Sequence, residues 1–333
     1  MNSRKINFAV VGCGAISEAH LAGIASIDEA VLAAVCDLNE ERARQKSDRY
    51  GGTVYTNYED LLRYSDIDVV CLCTPSGLHP EQTILAAQAG KHVICEKPIA
   101  LQLDDVDRMI DACRRSGVKL STVFPRRMSP TSRYVKALLE EGRLGKLSLC
   151  SGHVKFYRGQ AYYDSAGWRG TWEMDGGGAM MNQGIHTVDL LQWLAGPVQS
   201  LSGYARNVLR SIEVEDTAVA ALQFRSGALG ILEATTTAYK QPDHQIVIQG
   251  DRGTVVLEGD AIRKLEIMGE DVQLPEFEAF EVIPDGHRLL IRDMALAVLE
   301  DREPLIDGEA GRHALEIILG TYRSERTRQE VAL

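Results

Sequence analysis

A lysine and a histidine are the side chains of this sequence best suited to move charge during a reaction. Lys97 directly follows a predicted buried strand over residues 92–95, where its ammonium group can stabilise a developing negative charge. His186 lies on a predicted helix over residues 179–195, and an imidazole titrates near neutral pH, so it can act as a general base. For each residue taken alone, a surface lysine and a buried structural histidine are the simpler alternatives.

The helix that carries His186 has a predicted polar face. Asn182, His186, Asp189 and Trp193 are spaced by four, three and four residues, which predicts that they share one side of an α-helix. A run of three glycines at 176–178 precedes them, and such a run before a polar face favours an active site. Asp189 either orients His186 or caps a local group. One histidine and one asparagine do not form a zinc site, so no metal is predicted.

Residues 6–17 are typical of a turn that binds a dinucleotide. An apolar run at 6–11 predicts a buried strand, and the glycines after it allow a tight turn and a close approach to a pyrophosphate. The helix that follows offers its free N–H groups to the phosphates. Ser17 occupies the third glycine position of G-x-G-x-x-G/A and is small enough for close packing. Four residues of this turn are assigned to cofactor binding: Gly12, Gly14, Ala15 and Ile16.

The second predicted strand, residues 31–36, ends in an acidic residue. Asp37 lies 23 residues beyond Gly14, close to the spacing at which a carboxylate binds the adenosine ribose hydroxyls. Because a carboxylate repels a 2′-phosphate, we expect NAD as the cofactor in preference to NADP. Arg42 and Arg44 are near enough to receive that phosphate, but solvated charges on the next helix are the simpler interpretation.

The pattern of elements changes near residue 124. Residues 1–124 alternate strand and helix, which predicts an α/β domain with a parallel sheet and helices on both faces. Residues 125–333 predict an α+β domain with a mostly antiparallel sheet, formed by 147–157 and the strand-like stretch 198–268. The strands predicted in the first domain are 6–11, 31–36, 53–55, 68–73, 92–95 and 118–124. The predicted helices are 15–25, 39–50, 58–64, 79–89, 103–115, 130–141, 179–195, 287–301 and 308–325.

The composition is that of an ordinary globular protein, with 333 residues, of which 45% are apolar and 25% charged. A net charge of −11 argues against nucleic acid and anionic membrane surfaces as partners, since both require a basic face. No apolar run approaches 18 residues, and the N-terminus shows no signal peptide. The seven cysteines contain no C-x-x-C pair. We therefore expect a reduced, cytoplasmic protein with no nucleic-acid or membrane partner.

Taken together, these motifs resemble the Gfo/Idh/MocA family (glucose–fructose oxidoreductase, inositol dehydrogenase, rhizopine catabolism). The resemblance covers essentially the whole chain. It rests on GCGAIS with Asp37, on TPSGLH at 74–79, on EKP at 96–98, and on the glycine run followed by NQGIH at 182–186. It implies an N-terminal Rossmann domain and a C-terminal domain with a large, open sheet that commonly assembles dimers or tetramers. The reaction implied is reversible, NAD(P)-dependent oxidation of a secondary alcohol on a sugar or cyclitol.

The resemblance also implies roles for particular residues. Lys97 and His186 match the family's catalytic lysine and histidine, whereas Asn182 stands where many members have an aspartate. An amide can bind a substrate hydroxyl but cannot accept its proton, so we expect His186 to be the base and Asn182 to orient the substrate. The positions expected near the cofactor are Thr74, Pro75, His79, Glu96, Lys97, Trp168 and Arg169. Those expected near the substrate are Lys97, Tyr163, Arg169, Asn182 and His186. Trp168 is alternatively an anchor at a subunit contact.

We therefore predict an NAD-dependent oxidoreductase that transfers a hydride between a secondary alcohol of a sugar, sugar derivative or cyclitol and the nicotinamide. We expect it to assemble as a homotetramer or homodimer through the C-terminal sheet. One alternative is a nucleotide-sugar (UDP-sugar type) 3-dehydrogenase, with a larger or anionic group held by Tyr157, Arg158, Tyr162, Tyr163 and Arg169. Another is a reductase of an aldose or anhydro-ketose. A non-catalytic, cofactor-sensing regulator is a third, but it has no need of both Lys97 and His186.

Overall fold

The chain forms two compact units in a computed structural model that describes residues 4–64, 66–239 and 244–333. Unit 1 comprises residues 1–128 and 281–312, and unit 2 comprises residues 129–280 and 313–333. The sequence predicts a single boundary near residue 124, whereas the chain returns to unit 1 at residue 281. The physical reason is a helix that begins at His287, because its buried face packs on the first helix of unit 1.

The strands and helices follow the predicted order, with small differences at their ends. In chain order the strands are β1 Ile6–Val11, β2 Ala30–Cys36, β3 Thr53–Tyr55, β4 Val69–Leu72, β5 His92–Cys95, β6 Leu120–Thr122, β7 Leu147–Lys155, β8 Val198–Arg206, β9 Thr217–Phe224, β10 Leu229–Thr235, β11 His244–Gly250, β12 Gly253–Glu258, β13 Ala261–Ile267 and β14 Val331–Ala332. The α-helices are α1 Ser17–Ala25, α2 Glu40–Tyr50, α3 Tyr58–Leu62, α4 His79–Gln88, α5 Leu103–Ser116, α6 Pro130–Glu140, α7 Gln160–Asp164, α8 Ile185–Ala195, α9 His287–Leu299 and α10 Gly308–Thr327. Within the described ranges, no helix combines the length and apolarity needed to cross a membrane.

Unit 1 is built on a six-stranded sheet whose neighbouring strands all run parallel. Its order, β3-β2-β1-β4-β5-β6, is the doubly wound order of dinucleotide-binding domains. The central strands β1 and β4 are buried on both faces, as their continuous apolar runs predict. The strand order reverses between β1 and β4, so a ligand is expected beyond the carboxyl ends of these strands. The predicted α/β fold of this part is confirmed.

Local sequence explains where the helices of unit 1 begin and end. α5 has Asp104 and Asp105 in its first turn and Arg114 and Arg115 in its last, which is the arrangement that the helix dipole favours. It ends at Gly117, whose φ of +67° is a left-handed conformation that glycine adopts without strain. The helix ends one residue beyond the predicted end at residue 115.

Unit 2 is built on an eight-stranded sheet of order β13-β12-β11-β7-β10-β9-β8-β14. β7 and β10 pair in parallel and the other pairs are antiparallel, so the predicted mostly antiparallel sheet is confirmed. Side chains alternate between the two faces, as the period of a strand requires. On β9 the buried face consists of Ala218, Ala220, Leu222 and Phe224.

The predicted helix over residues 179–195 differs from the observed one in its first six residues. Residues Ala179–Gly184 form a π-helical turn, and the α-helix α8 begins only at Ile185. The prediction of one continuous α-helix is therefore wrong here, because the wider turn breaks the spacing that would stack Asn182 over His186. Single π turns inside helices frequently occur at functional sites.

Candidate active site

The turn after β1 lies against the end of β4. Gly12 has a φ of +90°, and a Cβ placed on it would lie 2.7 Å from the carbonyl oxygen of Cys73, so only glycine fits. Ser17 is fully buried, and its hydroxyl donates to the Gly14 carbonyl oxygen at 2.6 Å. The third glycine position is thus filled by a serine without loss of packing. This turn, open at the strand-order reversal and followed by α1, fits the pyrophosphate of NAD.

Asp37 follows β2 and is fixed beside the same turn. Its Oδ2 atom accepts the N–H of Cys13 at 2.8 Å, and its Oδ1 atom accepts the N–H of Asn39 at 2.8 Å. Each carboxylate oxygen has a second lone pair, so both can still accept a ribose hydroxyl. Arg44 forms an exposed ion pair with Glu40, which agrees with its interpretation as a solvated charge. These contacts favour NAD over NADP.

Leu38 is a candidate cofactor residue that sequence reasoning missed. It directly follows Asp37, and 93% of its surface is exposed. An exposed apolar side chain beside a ribose-binding carboxylate offers a surface on which an adenine ring can pack. In the sequence, this role is indicated by a large apolar residue that stands between Asp37 and the polar run beginning at Asn39.

His79 connects two loops at this edge of the sheet. It is fully buried, and its ring nitrogens lie 3.0 Å from the carbonyl oxygen of Pro98 and 2.9 Å from that of Thr74. Burial lowers the pKa of His79. The resemblance places His79 near the cofactor, and in the structure its two ring nitrogens contact the loops that follow β4 and β5. Pro75 begins a short turn, since its carbonyl oxygen accepts the N–H of Leu78 at 2.9 Å.

Glu96 follows β5 and is 5% exposed. Its Oε1 atom accepts from Nε2 of His20 at 2.9 Å and from Nε2 of His287 at 3.3 Å. Its Oε2 atom accepts the backbone N–H of Lys97 at 3.1 Å. Burial opposes ionisation of Glu96, but the hydrogen bonds and charge of the two imidazoles outweigh it and hold the pKa of Glu96 well below its usual range. The resemblance places Glu96 near the cofactor, and in the structure its carboxylate contacts His20, His287 and the Lys97 backbone.

Lys97 is half-buried and joined to Pro98 by a cis peptide bond. Like Gly12, Asp37 and Thr74, it follows a strand of the parallel sheet at its carboxyl end. Unit 1 therefore brings the predicted cofactor residues and the predicted catalytic lysine to one edge of a single sheet.

In unit 2, the glycine run at 176–178 packs against a buried acid. A Cβ on Gly178 would lie 1.8 Å from the backbone carbonyl oxygen of Glu215, and one on Gly177 would lie 2.3 Å from the hydroxyl of Tyr322. The Glu215 carboxylate accepts the N–H groups of Gly178 and Met180, each at 2.9 Å, and the Tyr322 hydroxyl at 2.8 Å. Burial raises the pKa of Glu215. Sequence reasoning missed this acid, whose indication in the sequence is a carboxylate just before the half-buried strand β9.

Asn182 lies in the π turn and contacts a carboxylate that sequence reasoning also missed. Its Nδ2 atom donates to Oδ1 of Asp175, which is 7% exposed and whose Oδ2 atom accepts the N–H of Gly170 at 2.9 Å. The Oδ1 atom of Asn182 accepts from Nε2 of Gln183 at 3.0 Å. These bonds fix the orientation of the Asn182 amide. The position that carries an aspartate in many family members is thus an amide held by a neighbouring aspartate.

His186 is half-buried near the start of α8. Asp189, one turn further on in α8, is 2% exposed. Trp193 is half-buried, with the ammonium nitrogen of Lys136 at 5.5 Å from its ring centre. His186, Asp189 and Trp193 keep the predicted α-helical spacing on α8, whereas Asn182 lies in the π turn and is shifted from that face.

Arginine and aromatic side chains lie together in the loop between β7 and the π turn. The guanidinium carbons of Arg169 and Arg158 lie 4.3 Å and 5.2 Å from the ring centre of Tyr162. Arg169 also lies 4.8 Å from the ring centre of Trp168, and its buried Nε atom has no hydrogen-bond partner among the described residues. Nη2 of Arg158 donates to Oε1 of Gln183 at 3.1 Å. Neither arginine forms an ion pair with a carboxylate within the described ranges.

Tyr163, a predicted substrate residue, is 6% exposed, and its hydroxyl is bonded to that of Thr236 at 2.8 Å. Its neighbour Tyr162 is instead half-buried beneath the two arginines, and its hydroxyl accepts from Nε2 of Gln183 at 3.3 Å. Tyr162 is therefore the better candidate for a polar contact with a ligand. Choosing between adjacent tyrosines requires the direction of each side chain, which the sequence does not give.

Two sequence models of one family match the chain. The model described as the oxidoreductase family with an NAD-binding Rossmann fold matches residues 6–124. The model of the GFO/IDH/MocA C-terminal domain matches residues 132–256. The first match covers the sheet of unit 1, and the second covers the π turn and most of the sheet of unit 2.

Solved structures and characterised relatives resemble the chain over nearly its whole length. The WlbA dehydrogenase from Bordetella pertussis, in complex with NADH and UDP-GlcNAcA, is 39% identical with a TM-score of 0.90, covering 100% of this chain and 99% of that one. The WlbA dehydrogenase from C. violaceum, with the same two ligands, is 37% identical with a TM-score of 0.89, covering 100% and 97%. The myo-inositol 2-dehydrogenase of Thermotoga maritima is 28% identical and covers 98% of both chains.

These matches confirm the predicted fold class, the NAD cofactor and the assignment to an enzyme. The two family models match the N-terminal and the C-terminal part of the chain, as the motifs predict. The chain belongs to the Gfo/Idh/MocA family of NAD-dependent oxidoreductases.

Proposed function

We propose that the protein oxidises a secondary alcohol of a UDP-linked sugar acid, with NAD⁺ as the hydride acceptor. The observation that carries this proposal is the 39% and 37% identity, over the full chain, to two dehydrogenases bound to NADH and UDP-GlcNAcA. The myo-inositol relative is 28% identical, and the structures of levoglucosan dehydrogenase are 22% identical. On this support we narrow our proposal from a sugar or cyclitol dehydrogenase in general to a dehydrogenase of a nucleotide sugar.

The arginines of unit 2 support an anionic substrate. Arg158 and Arg169 both lie over Tyr162, so two positive charges are held near one ring without a carboxylate partner among the described residues. Like charges held close together repel each other unless an anion lies between or beside them. A guanidinium also binds carboxylate and phosphate oxygens through paired N–H groups, as a sugar acid or a diphosphate requires.

The proton chemistry is assigned to Lys97, His186 and Asn182. NAD⁺, when bound, accepts the hydride from the carbinol carbon, which becomes a carbonyl carbon. The hydroxyl proton passes to the imidazole of His186. The ammonium group of Lys97 stabilises negative charge on the oxygen as the proton leaves. Asn182, whose amide is fixed by Asp175, orients the hydroxyl.

The test is the rate of NADH formation, followed by absorbance, with a panel of candidate substrates. UDP-GlcNAcA should be turned over with the highest kcat/KM, above UDP-GlcNAc, myo-inositol, glucose and levoglucosan. Faster turnover of myo-inositol or of a free sugar would contradict the proposal and favour the neutral-substrate alternative. Tight binding of NADH without turnover of any substrate would instead favour the regulator.

Arg169→Gln tests the anion site directly. Loss of a charge-assisted hydrogen bond costs about 1.5–3 kcal/mol, so KM for UDP-GlcNAcA should rise by about 10- to 100-fold. Arg263→Gln is the matched control, because Arg263 is an exposed arginine of unit 2 that pairs with Glu258. If the group recognised is the sugar carboxylate, KM for UDP-GlcNAc should change little. An unchanged KM for UDP-GlcNAcA in Arg169→Gln would remove this arginine from the site.

We also propose that a second copy of this chain covers the outer face of the unit 2 sheet, giving a homodimer or homotetramer. An apolar stripe crosses four neighbouring strands on that face: Leu149, Tyr204, Val219, Leu229 and Ile231, which are between 38% and 58% exposed. Strand register supports one face, since Leu229 pairs with Leu149 and Val219 pairs with Tyr204. Contiguous apolar surface of this kind marks interaction sites.

Light scattering tests the assembly. Ile231→Asp should convert the wild-type oligomer into smaller species, because a charge would be buried in the interface. Leu305→Asp is the control, since Leu305 is an exposed leucine of unit 1. A wild-type monomer at micromolar concentration would refute the proposal.

The protein is assigned to a reducing compartment, the cytoplasm, because all seven cysteines are buried thiols.

A further inference from the structure

Three buried side chains from distant parts of unit 1 meet beneath the turn that carries Lys97. His20 lies on α1, Glu96 follows β5, and His287 is the first residue of α9. Their exposed fractions are 1%, 5% and 2%. The two imidazole rings pack edge to face, with 5.2 Å between their centres, and both present Nε2 to the same carboxylate oxygen of Glu96.

The packing of α9 on α1 creates this arrangement. A Cβ on Gly23 of α1 would lie 2.6 Å from Cδ1 of Ile291 and 3.3 Å from Cα of Arg288. The absence of a side chain at Gly23 therefore lets the first turn of α9 approach closely enough for His287 to reach Glu96. Because the chain returns to unit 1 at residue 281, the His287 side chain lies beneath the turn that carries Lys97.

The trio is a hydrogen-bonded cluster. Two imidazoles and a carboxylate are also a possible donor set for a divalent metal, and their ligating atoms lie within 4.8 Å of one another. However, a metal-bound imidazole almost always donates its other ring N–H to a partner. Among the described residues, Nδ1 of His20 and Nδ1 of His287 have no hydrogen-bond partner. Each ring therefore directs its one polar contact to Glu96.

We infer that His20 and His287 are positioning residues, which hold the Glu96 carboxylate so that it fixes the backbone of Lys97. The link is direct: one oxygen of Glu96 receives both imidazoles, and the other receives the N–H of Lys97 at 3.1 Å. Without the imidazoles the buried carboxylate loses two donors, and it either takes up a proton or turns away. In both cases the anchor of the Lys97 backbone changes. This inference rests on the proposed role of Lys97 as the group that stabilises the alkoxide.

The test is a double-mutant cycle between His287 and Lys97. His287→Leu should lower kcat on the order of 10²-fold, the effect of a displacement near 1 Å, with the Kd of NADH unchanged. In a Lys97→Ala background the same substitution should change kcat by less than about twofold, because residues that act as one unit are not additive. His287→Gln keeps an N–H donor, so it should recover most of the lost kcat and serves if His287→Leu does not fold.

His92→Leu is the matched control. His92 begins β5, the strand that Glu96 follows, and its Nδ1 atom accepts the N–H of Lys119 at 2.9 Å. Its loss should lower stability but leave kcat near the wild-type value. The inference is overturned if His287→Leu lowers kcat equally in both backgrounds, or if the purified protein contains one equivalent of a divalent metal that His287→Leu removes. Near-wild-type kcat in Lys97→Ala alone would refute the proposed role of Lys97, and the positioning role with it.

Discussion

Replacing Glu215 by alanine should destabilise unit 2 strongly, because this carboxylate is the acceptor for three buried donors. Two are the N–H groups of Gly178 and Met180 at the entrance to the π turn, and the third is the hydroxyl of Tyr322. A buried donor left without an acceptor costs about 1–3 kcal/mol. Part of this cost is recovered because a buried carboxylate is removed, so we expect a loss of about 3–6 kcal/mol in the free energy of unfolding.

Tryptophan fluorescence during urea unfolding measures this loss. The three tryptophans of the chain, Trp168, Trp172 and Trp193, all belong to unit 2, so their emission reports on that unit alone. Trp172 packs edge to face on Tyr322, with ring centres 5.4 Å apart, and is therefore close to the perturbation. The shift of the midpoint, multiplied by the urea dependence, gives the change in free energy.

Two further variants test whether the hydrogen bonds of Glu215 account for the loss of stability. Tyr322→Phe removes one of the three hydrogen bonds and should cost about 1 kcal/mol. Glu215→Gln keeps one acceptor oxygen and should fall between the other two variants, and it serves as the measurement if Glu215→Ala does not fold. A loss below about 1 kcal/mol in Glu215→Ala, or an equal loss in Tyr322→Phe, would show that Glu215 does not organise the glycine run.

Other substitutions test the remaining assignments. Asp37→Ala should narrow the preference for NAD over NADP in kcat/KM, and a native preference for NADP would contradict the role of Asp37. His186→Ala should lower kcat by about 10²- to 10⁴-fold without changing NADH binding measured by titration, whereas near-native turnover would exclude it as the base. Because the folded pKa of Glu96 is depressed, its stabilisation is present above the ordinary value of 4.5 and is lost as the pH falls through the folded pKa. Glu96→Gln should therefore weaken the acid sensitivity of unit 1 in thermal melts, and an unchanged acid dependence would show that Glu96 does not supply it.

The cofactor half of the site could be predicted from the sequence because its signals are local. The glycine turn follows a buried strand directly, and Asp37 ends the next strand at a characteristic distance along the chain. Since parallel strands place their carboxyl ends at one edge, adjacency in space follows from the alternation of strand and helix. The position of Lys97 just beyond the carboxyl end of β5 was predictable for the same reason.

The buried clusters around Glu215 and Glu96 could not be predicted from the sequence, because each depends on contacts between residues that are far apart in the chain. Glu215 and Tyr322 are 107 residues apart, and Glu96 and His287 are 191 residues apart. Their meeting depends on the order of the strands and on the return of the chain to unit 1. The π turn at Ala179–Gly184 inserts into a stretch whose apolar spacing still fits an ordinary α-helix, so the periodicity predicts the helix and not the turn.

The interrupted course of unit 1 has a consequence for its synthesis. About 150 residues of unit 2 separate residue 128 from residue 281, where the chain of unit 1 resumes. At the usual rate of translation, roughly 5–20 residues per second, α9 emerges from the ribosome about 8–30 s after the parallel sheet is complete. During that interval α1 presents an uncovered face, and Glu96 has only one of its two histidines. The nascent NAD-binding unit is therefore unfinished until nearly the whole chain has been made, and a fragment that ends near residue 128 should expose apolar surface and aggregate.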